Sequence, residues 1–516
     1  MKMKIRWQSA LVIVPAAMLF MVAVARFSGS PAAGMEQPPP AAPASLEAAG
    51  PAPTDQLIIK FRANGSVRGD NAPAHPRRMQ QLSTAAGLEL TYGRAMSGDA
   101  RVLRLPAALP LAQVEAIARR LETLADVEYA EPDSRLFPLA EWPDDPEYLN
   151  QWHYFDTYGI NAPAAWEITI GSSSIRIAVI DTGITDHADL AGRWLGGYDF
   201  ISNLAVANDG DLRDSDPRDP GDWVVANECY AGSQVHASSW HGTHVAGTIG
   251  AKTHNGLGVA GVNWVSPIVP VRVMGKCGGY LSDIVDGLRW AAGLAVTGLP
   301  ANGNPARVLN MSLGAPGECH TSYQGAIDAA NAAGAIIVVA AGNSNLNLDI
   351  SDYQPANCNG VITVAATDRG GDRAYYSNYG RTVDISAPGG ENVPSPSYAV
   401  LSTLNSGLTV PTTDTYVYYQ GTSMSAPQVA GVISLLLSFD PTLTRAEIVA
   451  LLQETARPFP AGSSCTTAIC GSGIVNAGAA LATFGGATPQ PMSTPTPTPT
   501  STPTSGPVYL PVVTGH

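Results

Sequence analysis

Three short segments of the chain each place one reactive side chain among small residues at the edge of an apolar run. They carry Asp181 in AVIDTGI, His241 in HGTHVAG and Ser423 in GTSMSAP. A serine hydroxyl is a weak nucleophile at neutral pH and needs an adjacent base. An imidazole base in turn needs a carboxylate that fixes its tautomer and stabilises its charged form. The three segments therefore predict acyl transfer, with Asp181, His241 and Ser423 as the catalytic residues.

Each of these side chains also has an ordinary structural interpretation. An aspartate after an apolar strand often begins a loop, a serine often caps a helix, and a lone histidine often lies on the surface. Independent caps and surface residues would not reproduce the flanking residues of all three segments. The combination favours catalysis over three unrelated structural roles.

The elements that must position these side chains lie within residues 140–486, where short β-branched runs alternate with helical patterns. Strands are predicted at Ile175–Asp181, Val269–Val273, Val308–Met311, Ile336–Ala340 and Val361–Ala366, and helices at Leu281–Val296, Tyr323–Ala333 and Ser423–Phe439. This alternation is typical of a buried, mostly parallel sheet flanked by helices, in which sites gather at the carboxyl ends of strands. Because Asp181 ends a strand, and His241 and Ser423 each begin a helix, the three are expected to meet on one rim.

A smaller α+β unit is predicted to precede this region, over residues 54–139. Its strands are predicted at Gln56–Phe61, Val102–Leu105 and Val127–Asp133, and a helix at Leu111–Leu124. Apolar residues recur along the helix with the period that places them on one face. They are Val114, Ile117, Ala118, Leu121 and Leu124.

The two ends of the chain differ from both units. Lys2, Lys4 and Arg6 precede an apolar stretch followed by small residues, which predicts a secretory signal peptide over residues 1–33. The apolar stretch is short for a spanning helix, although an uncleaved anchor is the alternative. Residues 34–53 form a Pro/Ala-rich linker, and residues 487–516 a Thr/Pro-rich tail.

The net charge of the chain is −14, without a basic cluster. That composition argues against nucleic-acid binding, which requires basic side chains to neutralise phosphates. The acidic excess is compatible with cation binding and with solubility.

The cysteines are even in number, which favours disulfides in an exported chain. No pair has the CxxC spacing of a zinc site. We favour three pairs, of which the last closes so short a loop that it is the most secure, and free buried thiols are the alternative. The pairs are Cys229–Cys277, Cys319–Cys358 and Cys465–Cys470.

The three catalytic segments, in this order along the chain, closely resemble the signature segments of the subtilisin-like serine proteases, or subtilases (peptidase family S8). A further segment, VVAAGN, resembles the oxyanion-hole segment of the family and ends at Asn343. The resemblance implies a doubly wound, mostly parallel sheet. It also implies that the Asn343 side chain and the backbone N–H of Ser423 stabilise the oxyanion, unless Asn343 is only a turn residue.

The segment NMSLG resembles the family's substrate-pairing strand. The resemblance implies that Ser312, Leu313 and Gly314 bind the main chain of the substrate and wall the first specificity pocket. On the loop that forms the far wall, Asp349 and Asp352 would favour basic substrate side chains, unless they are surface carboxylates.

The unit at residues 54–139 resembles the inhibitory propeptide of subtilases, which assists folding and then occupies the active site. The resemblance implies self-cleavage near Leu139 or Ala140. An ordinary accessory domain is the alternative.

Calcium is the cofactor that the resemblance implies, in a structural role. Segments of this chain resemble those that form the strong calcium site of the family, with carboxylate, amide and backbone oxygens as ligands. The implied ligands are Asp145, Asp189, Asn255, Leu257 and Val259. A second candidate is an acidic loop in which aspartates alternate with other residues, although a solvated loop is the alternative. Its candidates are Asp209, Asp211, Asp214, Asp216 and Asp219.

The resemblance therefore implies a secreted, monomeric serine endopeptidase made as a self-processing zymogen. Its expected partners are protein and peptide substrates and its own propeptide, with no nucleic acid and no stable membrane insertion after signal removal. One alternative is a narrow processing protease of the proprotein-convertase kind, although no β-sandwich domain is apparent in residues 487–516. Another is an adhesion module that keeps an inactive protease fold.

Overall fold

The computed structural model describes residues 54–62, 74–133 and 142–484. The predictions for the signal peptide, the linker, the tail and the cleavage near Leu139 or Ala140 lie outside the described residues.

The strands are Thr54–Phe61 (β1), Thr91–Ala95 (β2), Ala100–Leu109 (β3), Val127–Pro132 (β4), Ile177–Asp181 (β5), Tyr198–Asp199 (β6), Ile268–Arg272 (β7), Val308–Met311 (β8), Ala315–Pro316 (β9), Ile336–Ala340 (β10), Tyr353–Gln354 (β11), Ile362–Thr367 (β12), Ile385–Pro388 (β13), Val400–Asn405 (β14) and Asp414–Tyr419 (β15). The α-helices are Pro76–Ala86 (α1), Leu111–Glu122 (α2), Ala162–Trp166 (α3), Leu204–Ala207 (α4), His241–Gly250 (α5), Leu281–Ala291 (α6), Thr321–Ala332 (α7), Thr422–Phe439 (α8), Arg445–Glu454 (α9) and Ala477–Ala482 (α10).

The first four strands form an antiparallel sheet in the order β2-β3-β1-β4, which packs with α1 and α2 around its own apolar core. The predicted face of α2 is confirmed, because Val114, Ile117, Ala118 and Leu121 are all buried. The sequence analysis missed α1 and β2. Only every fourth residue of α1 is buried, at Arg78, Leu82 and Ala86, so its apolar pattern is sparse.

Seven later strands form a parallel sheet in the order β13-β12-β10-β8-β5-β7-β6. Both faces of the sheet are covered. In β5, Ile177 and Val179 pack in the cluster with α5 and α8, whereas Ala178 and Ile180 pack in the cluster with α6 and α7. Burial on both faces explains why the strands are continuous apolar runs rather than alternating ones. The doubly wound α/β fold is thus confirmed.

Helix α8 crosses the core beneath this sheet. It is the one helix of the described residues that is long and apolar enough to span a membrane, with 18 residues and a mean hydropathy of 1.3. However, 83% of that helix is buried inside the protein, so its apolar character serves the core.

The two ends of the larger region, residues 142–484, pack against each other. The backbone N–H of Ala477 donates to the carbonyl of Ile160 at 2.7 Å, and the Arg457 guanidinium donates to the carbonyl of Gly159 at 2.6 Å. The side-chain amide of Asn161 donates to Asn476 at 3.0 Å. The first and last helices, α3 and α10, therefore close the region together.

Two parts of the fold depart from the sequence analysis. Helix α6 ends at Ala291 rather than Val296, because Gly293 takes a left-handed conformation with φ +81° and Asn302 binds the carbonyl of Trp290 at 2.9 Å. The hairpin of β14 and β15 was not predicted. It packs on α5, where the Thr403 hydroxyl donates to the carbonyl of Thr243 at 2.8 Å.

The structure contains three disulfides, Cys229–Cys277, Cys319–Cys358 and Cys465–Cys470, which are the pairs favoured from the sequence. None of the cysteines in the described residues is free.

Candidate active site

Asp181 and His241 meet where β5 ends and α5 begins. Asp181 is fully buried, and its Oδ1 lies 2.7 Å from Nδ1 of His241. The backbone N–H of Thr182 donates to the same oxygen at 2.8 Å, which fixes the carboxylate. Burial alone would lower the pKa of His241, but the negative charge and hydrogen bond of Asp181 leave that pKa raised. The imidazole thus has Nδ1 held by a carboxylate and Nε2 available as a base.

The start of α5 is held by polar groups from outside the helix. The backbone N–H of His241 donates to Oγ of Ser239 at 3.3 Å. The backbone N–H of Gly242 donates to Oγ1 of Thr182 at 3.0 Å. A Cβ on Gly242 would lie only 2.1 Å from the carbonyl oxygen of Gly183. This close approach requires glycine and brings His241 onto the end of β5.

Ser423 is the second residue of α8, and its carbonyl has an unusual partner. Pro427 has no N–H, so it cannot donate to the carbonyl of Ser423 four residues before it. The Ser312 hydroxyl donates to that carbonyl instead, at 2.9 Å. In return, the Ser423 hydroxyl donates to the carbonyl of Ser312 at 3.2 Å. The Ser423 hydroxyl thus donates to Ser312 rather than to His241, and catalytic hydrogen bonds are often formed fully only when substrate is bound.

Asn343 follows β10, and its side chain is oriented by the residue before Ser423. Oδ1 of Asn343 accepts from the backbone N–H of Thr422 at 2.9 Å and from the Thr422 hydroxyl at 2.8 Å. Because the amide oxygen is occupied by two donors, Nδ2 is left to donate elsewhere. The sequence analysis did not identify this role of Thr422, although its place beside Ser423 was visible.

Two of the three predicted catalytic residues and the predicted substrate-binding residues line one cavity of about 430 Å³. It contains His241, Ser423 and Asn343, together with Ser312, Leu313 and Gly314. Asp181 lies behind His241, outside the cavity lining. A second cavity of about 300 Å³ shares Leu313 and Gly314 with the first.

Two acidic residues considered for the specificity pocket do not line this cavity. Asp349 accepts from the backbone N–H of Arg381 at 2.8 Å and forms an ion pair with its guanidinium at 3.3 Å. Asp352 lies 3.3 Å from the side-chain amide of Asn357. Both are therefore engaged elsewhere, as the surface alternative expected.

The segments proposed for the strong calcium site do come together. Asp145 and Asp189 are both buried, and Asn255 donates through Nδ2 to Asp189 at 2.7 Å and through its backbone N–H to Asp145 at 3.3 Å. The backbone N–H of Val259 donates to Asp189 at 2.9 Å. Burial raises the pKa of both carboxyl groups, and the charge of Asp189 raises that of Asp145 further. The two buried carboxylates supply oxygens of the kind that a hard cation prefers. The Asn255 amide, however, presents its nitrogen to Asp189, while its oxygen accepts from the backbone N–H of Leu257 at 2.8 Å.

The acidic loop behaves differently, because its five aspartates do not converge on one point. Asp209 pairs with the buried Arg272 at 2.6 Å, and Asp216 pairs with Arg218 at 3.1 Å. Asp211 is exposed, and the neighbouring charge of Asp214 raises its pKa. Across the described ranges, no group of three or more His, Cys, Asp or Glu side chains is arranged to hold a metal ion.

Asp219, the last of the five, is buried beside Thr182 and away from the others. Burial, together with a smaller effect of the charge of Asp222, raises its pKa to about 7. The spacing of the aspartates alone could predict neither their ion pairs with arginines nor the burial of Asp219.

Comparison with known proteins gives a consistent result. The family model described as "Subtilase family" matches residues 172–481. The chain is 46% identical over 448 residues to the "Extracellular protease" of Xanthomonas campestris pv. campestris, covering 84% of this chain and 74% of that protein. It is 40% identical over 435 residues to the "Extracellular basic protease" of Dichelobacter nodosus, covering 83% and 70%. A solved protease structure from Pseudoalteromonas arctica is 53% identical with a TM-score of 0.64, covering 66% of this chain and 99% of that one.

The family match spans more than half of the chain and includes the segments of Asp181, His241 and Ser423. The parallel sheet, the site at its rim and these relatives agree. The chain belongs to the subtilase family of serine peptidases.

Proposed function

We propose that this chain is a secreted serine endopeptidase, made as a self-processing zymogen, that hydrolyses peptide bonds through an acyl-enzyme on Ser423. The observation that carries the proposal is the meeting of the Asp181–His241 pair, Ser423 and Asn343 at one cavity. The names of the relatives, two of which are called extracellular proteases, support secretion.

In the first step, Nε2 of His241 takes the proton of the Ser423 hydroxyl as its oxygen attacks the scissile carbonyl. The His241 imidazolium is stabilised by Asp181 and then returns the proton to the leaving amine. Water attacks the acyl-enzyme by the same route, which releases the acid and restores the Ser423 hydroxyl.

The oxyanion formed in each attack needs preorganised donors. Nδ2 of Asn343 is one, since Thr422 occupies its oxygen. The backbone N–H of Ser423 is the other, because N–H groups in the first turn of a helix have no partner within the helix. Both donors are fixed before the reaction, so no reorganisation is needed when charge develops.

The experiment that tests this function is labelling with an organophosphonate that reacts only with an activated serine. We expect the mature protein to carry one label, located on Ser423 by peptide mass spectrometry, with parallel loss of hydrolysis of a protein substrate. An unlabelled, inactive but folded protein would support the alternative of an adhesion module on an inactive protease fold.

We also propose that residues 54–139 are the inhibitory propeptide and that residues 140–486 are the catalytic domain, which acts as a monomer. What supports this division is that residues 54–133 have an antiparallel sheet and an apolar core of their own. A domain with its own core can fold first and then bind the rest of the chain.

For the calcium site, we propose Asp145, Asp189 and Asn255 as side-chain ligands, with backbone oxygens of Leu257 and Val259. Calcium would neutralise the two buried carboxylates and thereby stabilise the folded state. It has no role in the chemical steps.

Removing calcium is therefore expected to lower the thermal midpoint of the mature enzyme. A ligand that binds only the folded state contributes about 2.7 kcal/mol when present at 100 times its dissociation constant. The measurement is a thermal melt in excess calcium and in excess chelator. Asp189→Asn should have a low thermal midpoint that calcium no longer raises. If the chelator leaves the thermal midpoint of the wild type unchanged, the proposed calcium site is wrong.

A further inference from the structure

Among the residues that the structure describes, the cavity that holds His241 and Ser423 is lined by one carboxylate, Asp222. The other ionisable side chains of this described lining are His236, His241 and Tyr353, without a lysine or arginine. Asp222 belongs to the long segment between β6 and α5, in which the sequence analysis found only an acidic loop. It is half-buried, so its carboxylate remains within reach of a bound peptide.

The orientation of the Asp222 carboxylate is fixed by Ser239. Oδ1 accepts from the backbone N–H of Ser239 at 2.6 Å, and Oδ2 accepts from its hydroxyl at 2.7 Å. Two such hydrogen bonds hold the carboxyl group in one position. Each oxygen still has a lone pair for a further donor. The carboxyl oxygens of Asp222 are therefore fixed in place and can still accept from a bound side chain.

In the part of the chain that the structure describes, the nearby charged side chains do not pair with Asp222. Lys276 lies against the neighbouring Trp223, but its ammonium pairs with Glu228 at 2.7 Å. Asp219, which is buried nearby, adds to the negative potential whenever it is ionised. The charge of Asp222, after that of Asp181, also contributes to raising the pKa of His241.

The geometry of an extended substrate indicates which side chain meets this charge. In the proposed reaction, the residue before the cut would have its carbonyl at Ser423 and Asn343, and its side chain would enter the part of the cavity that Gly314 and Tyr353 line. Successive side chains of an extended peptide point to opposite sides. The side chain of the preceding residue therefore points the other way, towards His241, Asp222 and the Cys229–Cys277 disulfide.

We propose that Asp222 is a specificity-determining residue that selects lysine or arginine as the second residue before the cleaved bond. The proposal rests on the proposed peptidase function. Val224 and the disulfide, which also line this part of the cavity, would contact the aliphatic stem of such a side chain while its cationic head binds the carboxylate.

The test compares kcat/KM for peptides that differ only at that position, with lysine, glutamine or glutamate. A half-exposed charge pair contributes up to about 1 kcal/mol, so we expect the wild type to favour lysine over glutamine by roughly fivefold. Asp222→Asn should bring this ratio close to one, and Asp222→Arg should favour glutamate. Raising the salt concentration should lower the wild-type ratio, because the pair is partly solvated.

Two further variants separate specificity from a purely structural role. Ser239→Ala breaks the hydroxyl bond but keeps the carboxylate, so the ratio should persist even if all peptides are cleaved more slowly. Asp186→Asn removes an exposed carboxylate outside the cavity lining and should leave the ratio unchanged.

A uniform loss in Asp222→Asn, with the lysine-to-glutamine ratio intact, would overturn the proposal, as would a change of preference at any other position. If the wild type cleaves the lysine and glutamine peptides equally well, this inference fails while the peptidase function stands. If it cleaves none of the peptides or proteins offered, the proposed function itself fails.

Discussion

Replacing Ser423 with alanine is expected to leave a folded, full-length chain whose kcat is lower by roughly a millionfold, as when other serine peptidases lose their nucleophile. Within the described part of the chain, the Ser423 hydroxyl donates one hydrogen bond, to the carbonyl of Ser312, so its loss should cost little stability. The measurements are hydrolysis of a peptide substrate, circular dichroism for the fold, and the mass of the secreted protein. Since the proposed zymogen processes itself, the variant should also keep residues 54–139 attached.

The wild type supplies the comparison for that second readout. N-terminal sequencing of the mature enzyme should give a start near Leu139 to Glu141. A start upstream of Arg94, or one well past Asp145, would overturn the propeptide boundary. Ser438→Ala is a matched control on the same helix, since its hydroxyl bonds only to the carbonyl of Ser434, and it should mature normally. Ordinary peptidase activity in Ser423→Ala would contradict the mechanism.

Asn343→Ala is expected to lower kcat by 10²- to 10³-fold, with little change in KM, because loss of an oxyanion donor costs about 3 to 4 kcal/mol in the transition state alone. The effect should be visible in steady-state kinetics with a peptide amide. Asn347→Ala is the control, because this side chain bonds only to the nearby backbone N–H of Asp349. A variant with raised KM and unchanged kcat would show that Asn343 binds the ground state instead.

The catalytic residues could be found from the sequence because each is marked locally. Asp181 ends an apolar strand, while His241 and Ser423 begin helices whose flanking residues are small enough for close packing. Parallel strands then bring those ends to one rim, whatever the distance along the chain. Short segments of sequence were therefore enough to predict both the chemistry of these residues and the elements that carry them.

Features that depend on contacts between distant segments were harder to predict. Thr422 orients Asn343 across 79 residues, and Ser312 donates across 111 residues to the carbonyl of Ser423, which Pro427 cannot serve. From the sequence, the aspartates of the acidic loop could not be distinguished from calcium ligands. Their ion pairs with Arg272 and Arg218 form only in the folded chain. Asp222 lies in a long segment without periodicity, so nothing local marks its place in the cavity.

The closure of the larger region by its two ends has a consequence for synthesis. The face of the parallel sheet that α5 and α8 cover stays incomplete until α8 has been made, and α3 meets α10 later still. The sheet and core of residues 54–62 and 74–133, in contrast, need no later segment. We therefore expect a chain that emerges from its amino terminus to fold this first unit well before Ser423 has been made. Because the later residues depend on contacts between distant segments, they should fold more slowly, so that the proposed peptidase activity would arise only after synthesis of the catalytic residues is complete.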